Sequence, residues 1–585
     1  MSVPFSRLVW ILTLGGLFEG GRLGFSATAA DHFVVVGSGG VPSAQETSIL
    51  EMAEFWTEEL RRAYADSQRS VLFGAGNQPG KKPYYADVRV ERETKEPNGY
   101  VLEHKGLDPG RLRANQVATP AALKSVLDRN LRRPGQVWLF AHGHGAPNRD
   151  LTELAPDRYR DNRLLLWPAG DAWGQEPTTP APFTVPDLRR LLTAPERPAD
   201  FVFLITSCYS GGFHQAVVAE TDGRPTLLRG AAGFSAAHED VPSAGCTTMP
   251  NLWDITYVGQ FSRKLMADYS RQKGGRITLT EAHRAAVLAL PEWSFELPLA
   301  TSDYFLELWA KTLFSAHPAH RALWGGRLDE AQAAFASAWR NPTDGDSPPW
   351  REHRRWVEEV IADTPELAHP RRRDALTDPA SARVMLEELN QRRKAAERLV
   401  KDSRRLLSQA RPALLRAWDK ALPQLVAALP RSKALTAELA WEPEVAATEA
   451  ANPHPLRWSD ALFDRHSHFA VAEPKRFAAL TRWLARRENL RHDWIVAVHA
   501  DKTDTAPETD KAVSEWVDRT VQWKQSEAVM QKAETAWANF RRAVVYRDVS
   551  AAWRTLERLG QTAALDDLAE LHRIESLRLP PRGRN

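Results

Sequence analysis

Two short apolar segments, each leading into a reactive side chain followed by glycine, constrain the fold of this chain more than any other feature. They are "VWLFAHGHG" at residues 137–145 and "FVFLITSCYSGG" at residues 201–212. Unbroken apolar runs of this length are typical of strands that are buried on both faces, as in parallel sheets covered by helices. Ligands of such sheets bind beyond the carboxyl ends of the strands, so we expect His142, His144 and Cys208 at one sheet edge.

Strand patterns alternate with helical patterns from residue 31 to about residue 302. Thr119 with Pro120 predicts the start of a helix before the first segment, and Thr184 predicts a capped helix before the second. This alternation predicts an α/β sandwich with a mainly parallel sheet. After about residue 312 the strand pattern disappears, and helices are predicted at 379–410, 510–541 and 550–579. We therefore predict an α/β domain at 30–312 and an all-α carboxyl-terminal region of unassigned role at 313–585.

The amino terminus has the pattern of a secretory signal. Arg7 precedes an apolar stretch at 8–18, and the small residues that follow end in Ala27-Thr28-Ala29. The apolar stretch is shorter than a comfortable membrane span, although an uncleaved anchor is the main alternative. We predict a signal peptide at 1–29 and an exported protein, periplasmic or extracellular, with no membrane span once the signal is removed.

The charge balance and the cysteines limit the possible partners. Lys and Arg number 77 against 74 Asp and Glu, which gives no reason to expect nucleic acid as a partner. The two cysteines, Cys208 and Cys246, allow a structural disulfide in an exported protein. The alternative is a reactive thiol at Cys208, which follows a predicted strand.

A cysteine next to a histidine suits acyl transfer. The thiolate is the nucleophile, and a nearby imidazole favours its ionisation and later donates a proton to the leaving amine. Backbone N–H groups on a glycine turn can bind the developing oxyanion because no side chain blocks the approach. Gly145 and the backbone of Cys208 are the candidates for this task.

Together these segments resemble the caspase-hemoglobinase fold cysteine peptidases of clan CD, most nearly the legumain-like branch. The resemblance also takes in "HFVVVGSGG" at 32–40 and "AAHEDVPSAG" at 236–245, and covers residues 31–290. It implies a caspase-like three-layer sandwich for residues 30–312. It further implies an endopeptidase that cleaves peptides or proteins through a thioester, with Cys208 as nucleophile, His144 as general acid and base, and Gly145 at the oxyanion.

The sequence departs from this family at positions that concern specificity. Legumain-like enzymes usually have an acidic residue two positions before the nucleophile, where this chain has Thr206, and Gln45 stands near the place of a family arginine. Asparagine specificity is therefore not expected. Thr206, Glu239 and Asp240 are candidate substrate-binding residues, and the two acids would favour Arg or Lys before the cut unless they are simply solvated. His142 is the alternative base.

Other functions are compatible with parts of the sequence. The pairs His142/His144 and His466/His468 have spacing that suits a metal, but neither has a third ligand at fixed spacing, so we expect no metal and no cofactor. A binding or scaffolding protein that keeps the fold without turnover is the alternative to an enzyme. The oligomeric state is left open.

Overall fold

The computed structural model describes residues 31–579 with gaps. The predicted signal peptide, Cys246 and the pair His466/His468 lie outside the described residues. The longer gaps are 77–87, 94–99, 106–111, 148–161, 169–178, 245–254, 272–276, 341–347, 363–375, 430–446 and 448–473.

Thirteen strands are found in the described part of the chain. In chain order they are β1 (His32–Ser38), β2 (Arg69–Phe73), β3 (Val88–Glu93), β4 (Tyr100–Lys105), β5 (Gln136–Gly143), β6 (Gly145–Ala146), β7 (Arg163–Leu166), β8 (Ala181–Thr184), β9 (Asp200–Ile205), β10 (Val218–Thr221), β11 (Arg224–Leu227), β12 (Ala231–Ser235) and β13 (Leu299–Ala300).

The main helices alternate with these strands and then follow them. In chain order they are α1 (Thr47–Arg61), α2 (Pro120–Leu131), α3 (Val185–Leu192), α4 (Tyr257–Arg271), α5 (Leu279–Leu288), α6 (Thr301–Phe314), α7 (Pro318–Trp324), α8 (Leu328–Arg340), α9 (Pro348–Ala362), α10 (Pro379–Ala428), α11 (Pro474–His499), α12 (Pro507–Arg558) and α13 (Thr562–Glu575).

A six-stranded sheet in the order β13-β12-β9-β5-β1-β2 forms the centre of the α/β part. Neighbouring strands are parallel except at the β12–β13 edge. All seven residues of β1 are buried, so helices cover both faces of the sheet. On one face, Trp56 of α1 stacks on Phe140 of β5 with ring centroids 4.0 Å apart. The predicted fold class, an α/β sandwich with a mainly parallel sheet followed by an all-α carboxyl-terminal region, is confirmed.

The predicted helix starts before the two key strands are found in the structure. Thr119 accepts a hydrogen bond from the backbone N–H of Ala122 at the start of α2. Thr184 and Asp187 form a reciprocal capping box at the start of α3. These caps fix where each helix begins and therefore where the following strand enters the sheet.

The core around the sheet continues beyond the predicted boundary near residue 312. Val545, Tyr546 and Trp553 of α12 and Leu568 of α13 are buried in the same cluster as the sheet residues. Farther along, α10 and α12 pack against each other in opposite directions, and the hydroxyl oxygens of Ser403 and Ser526 lie 2.6 Å apart between them. The carboxyl-terminal end of the all-α region is thus part of the packing of the α/β part.

Two long helices differ from the sequence prediction. Helix α10 continues through Pro412 and Pro423 to Ala428 instead of ending near residue 410. Helix α12 runs unbroken from Pro507 to Arg558, where the sequence predicts two helices with a break between 541 and 550. None of the helices in the described residues has both the length and the apolar character that crossing a bilayer requires.

Candidate active site

The strand register brings the two sequence segments together. Strands β5 and β9 are adjacent and parallel in the middle of the sheet, and their registered pairs end at Ala141 and Ile205. His144 and Cys208 each stand three positions beyond this last pair, past the carboxyl ends of the two strands. Neighbouring strands lie about 4.8 Å apart, so the two segments leave the sheet side by side.

The contact of Gly145 with the Cys208 backbone confirms this adjacency. A Cβ atom added at Gly145 would lie 2.1 Å from the carbonyl oxygen of Cys208 and 3.0 Å from the hydroxyl oxygen of Ser207. The first distance is too short for any side chain, which explains why this position needs glycine. The predicted role of Gly145 as an oxyanion donor stays a prediction.

The backbone of His144 is held from both sides. Its N–H donates to the carbonyl oxygen of Ser38 at 3.2 Å, and its carbonyl accepts from the N–H of Leu165 at 2.9 Å. Gly143 before it has a φ of 153°, and a Cβ there would lie 1.9 Å from the Ser38 oxygen. His144 as a residue is half-buried, and its Nε2 is a buried atom.

His142, the alternative base, lies deeper. It is buried, and its Nδ1 lies 2.8 Å from the hydroxyl oxygen of Thr206. Thr206 in turn donates to the carbonyl oxygen of Ala141 at 3.3 Å and is itself buried. The structure therefore places Thr206, a candidate substrate-binding residue, in a buried pair with His142.

Cys208 is a half-exposed thiol rather than half of a disulfide. The backbone N–H of Ser243 donates to its Sγ at 3.3 Å, and the Ser243 carbonyl oxygen lies 3.5 Å from the same sulfur. The hydrogen bond from the N–H group favours the thiolate, whereas the one that the thiol donates to the Ser243 carbonyl oxygen favours the neutral form, so together the two contacts fix where the sulfur lies. Ser243 has this contact although nothing in the sequence pattern singles it out.

The turn after Cys208 is strained and clamped. Tyr209 has a φ of 60°, a left-handed conformation that costs a residue other than glycine about 1–2 kcal/mol. The buried Asn162 holds this turn: its Nδ2 donates to the carbonyl oxygens of Tyr209 at 2.9 Å and of Glu239 at 2.8 Å. Sequence reasoning missed Asn162, because a lone asparagine before a strand carries no motif.

Glu239 and Asp240 both have internal partners. Glu239 is buried, and its Oε2 accepts from Gln215 and from the Tyr304 hydroxyl, each at 2.9 Å. Asp240 lies 2.8 Å from His238 and also pairs with Arg541 of α12. Although burial raises it, Arg541 and His238 hold the pKa of Asp240 well below its ordinary value. The two carboxylates are thus engaged inside the protein, and their predicted role in specificity stays a prediction.

No set of three His, Cys, Asp or Glu side chains with the geometry of a metal site occurs among the residues that the structure describes. The arrangement that remains is a thiol and an imidazole at the end of two central strands, with glycine between their backbones. Such a constellation is able to transfer an acyl group to sulfur and then to water.

Comparisons with known proteins leave the family open. No family model and no curated protein matches the chain. Among solved structures, twelve chains match. One is protein GSU0716 from Geobacter sulfurreducens, which is 12% identical, covers 46% of this chain and 92% of its own, and superposes with a TM-score of 0.26.

Proposed function

We propose that this protein is a cysteine endopeptidase that cleaves peptide bonds in peptides or proteins, with Cys208 as nucleophile and His144 as general acid and base. One observation carries the proposal. His144 and Cys208 each follow the last registered pair of β5 and β9 by three residues, and the backbone of Gly145 lies against the Cys208 carbonyl oxygen. The resemblance of both segments to clan CD peptidases supports the same roles.

The proposed reaction proceeds in two steps. The His144 imidazole takes the thiol proton, the Cys208 sulfur attacks the scissile carbonyl carbon, and backbone N–H groups at Gly145 and Cys208 bind the oxyanion. The imidazolium then donates its proton to the leaving amine as the C–N bond breaks, which leaves a thioester. Water, deprotonated by His144, attacks the thioester and releases the carboxylic acid product and the thiol.

The strained turn supports a catalytic interpretation of the thiol. Backbone strain persists only where the surrounding structure enforces it, and it is concentrated at functional sites. Here the strained residue, Tyr209, directly follows the proposed nucleophile, and Asn162 holds its carbonyl. A rigid turn keeps the sulfur in one position, as attack on one face of a carbonyl carbon requires.

Specificity and location are parts of the same proposal. With Thr206 bonded to His142 and both Glu239 and Asp240 paired internally, we assign no preference for the residue before the cut. The signal-like segment at 1–29 supports action outside the cytoplasm.

Substitution of the two proposed catalytic residues tests the function. Cys208→Ala and His144→Ala should each abolish cleavage of a peptide library. His142→Gln is the matched control: it should lower thermal stability because of the Thr206 hydrogen bond, yet retain turnover. Unchanged turnover in Cys208→Ala would refute the assignment. A wild-type protein that neither cleaves the library nor reacts with an acyloxymethyl ketone probe at Cys208 would instead favour the non-catalytic scaffold.

A further inference from the structure

The loop at residues 238–244, called here the 238–244 loop, governs the position of the thiol. The N–H of Ser243 donates to the Cys208 sulfur at 3.3 Å, and the carbonyl oxygen of Val241 accepts from the N–H of Tyr209 at 3.0 Å. Two contacts from one loop thus hold the sulfur and the turn that follows it. Side chains that hold this loop in position therefore also hold Cys208 in position.

The first attachment of the loop is a chain of charged side chains that ends on α12. Arg541 pairs with Asp240, and Asp240 lies 2.8 Å from Nδ1 of His238. Nε2 of His238 lies 3.1 Å from Glu307 of α6, which pairs with Lys311 at 3.0 Å. Although burial lowers it, Glu307 and Asp240 raise the pKa of His238 to about 9, so the ring is charged at neutral pH and bridges two carboxylates.

The second attachment starts from the next residue of α12. Arg542 donates to the backbone carbonyl oxygens of Ser294, at 3.2 Å, and of Glu296. The buried carboxylate of Glu296 accepts from the Ser243 hydroxyl at 2.7 Å and from the N–H of Ala244 at 3.0 Å. Its other oxygen accepts from the N–H of Tyr257 at 2.7 Å, so this carboxylate joins the loop to the start of α4.

Consecutive residues on a helix point about 100° apart, so Arg541 and Arg542 reach the loop by separate routes. Removal of Arg541 leaves the partly buried carboxylate of Asp240 with His238 as its remaining charged partner, and removal of Arg542 takes the donor from the backbone carbonyls of Ser294 and Glu296, the segment whose Glu296 carboxylate holds the loop. Loss of either arginine should therefore move the loop rather than leave it in place.

We infer that Arg541 and Arg542 are positioning residues for Cys208: through the 238–244 loop they hold the backbone N–H of Ser243 against the sulfur. This inference gives the all-α region a part in the reaction and rests on the proposed function. Ser243 contacts the sulfur both as donor and as acceptor, so a displaced loop moves the sulfur away from His144 and from the scissile carbonyl, which lowers its reactivity.

Arg541→Gln and Arg542→Gln test this, with Arg573→Gln as the matched control. Arg573 of α13 also pairs with a residue of β9, Asp200, at 2.9 and 3.1 Å, but at the end of the strand opposite Cys208. The readouts are the pH profile of iodoacetamide alkylation of Cys208, followed by the mass of its peptide, and kcat and KM on a cleaved peptide.

In Arg541→Gln and in Arg542→Gln we expect the alkylation rate at pH 7 and kcat to fall about tenfold, which corresponds to about 1.4 kcal/mol, with little change in KM. The Arg573→Gln protein should follow the wild type. Arg541→Lys should recover part of the rate because it keeps a positive charge near Asp240. Should Arg541→Gln fail to fold, Glu296→Gln tests the second route by the same readouts and should show the same fall.

Wild-type alkylation profiles and kcat in Arg541→Gln and Arg542→Gln, even with a lowered Tm, would overturn the inference. The failure of the proposed function is distinguishable from this result. A wild-type protein without peptide turnover, whose alkylation profile nevertheless changes in the two arginine variants, retains the positioning role and loses the peptidase.

Discussion

Replacement of Asn162 by alanine removes the two hydrogen bonds that tie the turn after Cys208 to the 238–244 loop. The carbonyl oxygen of Glu239 loses its donor, while that of Tyr209 keeps the N–H of Gly212 at 3.2 Å. A lost hydrogen bond costs about 0.5–1.5 kcal/mol, and a buried polar atom left without a partner costs about 1–3 kcal/mol. Part of this cost is offset, because the buried Oδ1 of Asn162 has no hydrogen-bond partner among the described residues and disappears with the side chain. The net loss in the free energy of unfolding should therefore be about 1–3 kcal/mol.

Asn162→Asp is the sharper variant because it keeps the size of the side chain. A carboxylate oxygen then faces the two carbonyl oxygens at 2.8–2.9 Å, where the amide donates now. Contact between two acceptors, one of which carries a buried charge, destabilises the protein more than the empty space that alanine leaves. We expect Asn162→Asp to be less stable than Asn162→Ala and to lose more of the alkylation rate of Cys208, since Tyr209 is released from its left-handed conformation.

Urea unfolding followed by tryptophan fluorescence gives the stability of both variants, and iodoacetamide alkylation of Cys208 reports on the turn. The order wild type, then Ala, then Asp is the decisive result. If Asn162→Asp were as stable as Asn162→Ala, the donor role of Nδ2 would be wrong. If both variants kept the wild-type alkylation rate, Asn162 would not hold the turn.

Three further predictions follow from the geometry. Gly145→Ala should reduce turnover by about 100-fold, because its Cβ meets the Cys208 oxygen at 2.1 Å. Gly560 has a φ of 59° and no atom within 4 Å of an added Cβ, so Gly560→Ala should lower the Tm and yet retain turnover; equal activities of the two variants would contradict the steric argument. Glu239→Gln should lower the Tm without changing the cleavage preference in a peptide library, since Glu239 accepts hydrogen bonds from Gln215 and Tyr304. A lost preference for basic residues would show that Glu239 binds substrate. Acidification should destabilise the protein, because burial lowers the pKa of His214 and His353 to about 3 and of His572 to about 4. These rings are neutral when folded but take up protons near pH 6.5 when unfolded, so stability is full above pH 6.5 and falls as the pH drops towards 4. Burial raises the pKa of Glu575 to about 8 and also raises that of Glu296 and Asp548, so these carboxyl groups offset part of the effect. Equal urea midpoints at pH 7 and pH 5 would contradict the prediction.

The parts of the site that sequence reasoning could predict are local. An apolar strand that ends in His-Gly or in Cys-Tyr-Ser-Gly is visible within about ten residues, and parallel pairing puts two such ends at one edge. The supports of the site are distant in the chain. Asn162 binds carbonyl groups 47 and 77 residues away, and Arg541 meets Asp240 across 301 residues. Since the bonds of Asn162 go to backbone atoms, the identities of its partners leave no pattern in the sequence.

The sequence wrongly predicts a break between residues 541 and 550, and the cause of this error also explains why the role of α12 could not be predicted from the sequence. A helix is recognised by an apolar stripe on one side, and this stripe vanishes where the helix is buried all round. Nearly every residue from Ala538 to Leu556 is buried, Arg542 and Arg547 included. The absence of amphipathic periodicity suggests a loop, but here it results from enclosure of the helix by α6, α8, α9 and α10 and by the 238–244 loop. The same enclosure makes the charges of Arg541 and Arg542 costly to leave unpaired, so the segment that the sequence pattern describes least well is the one that holds the proposed nucleophile in place.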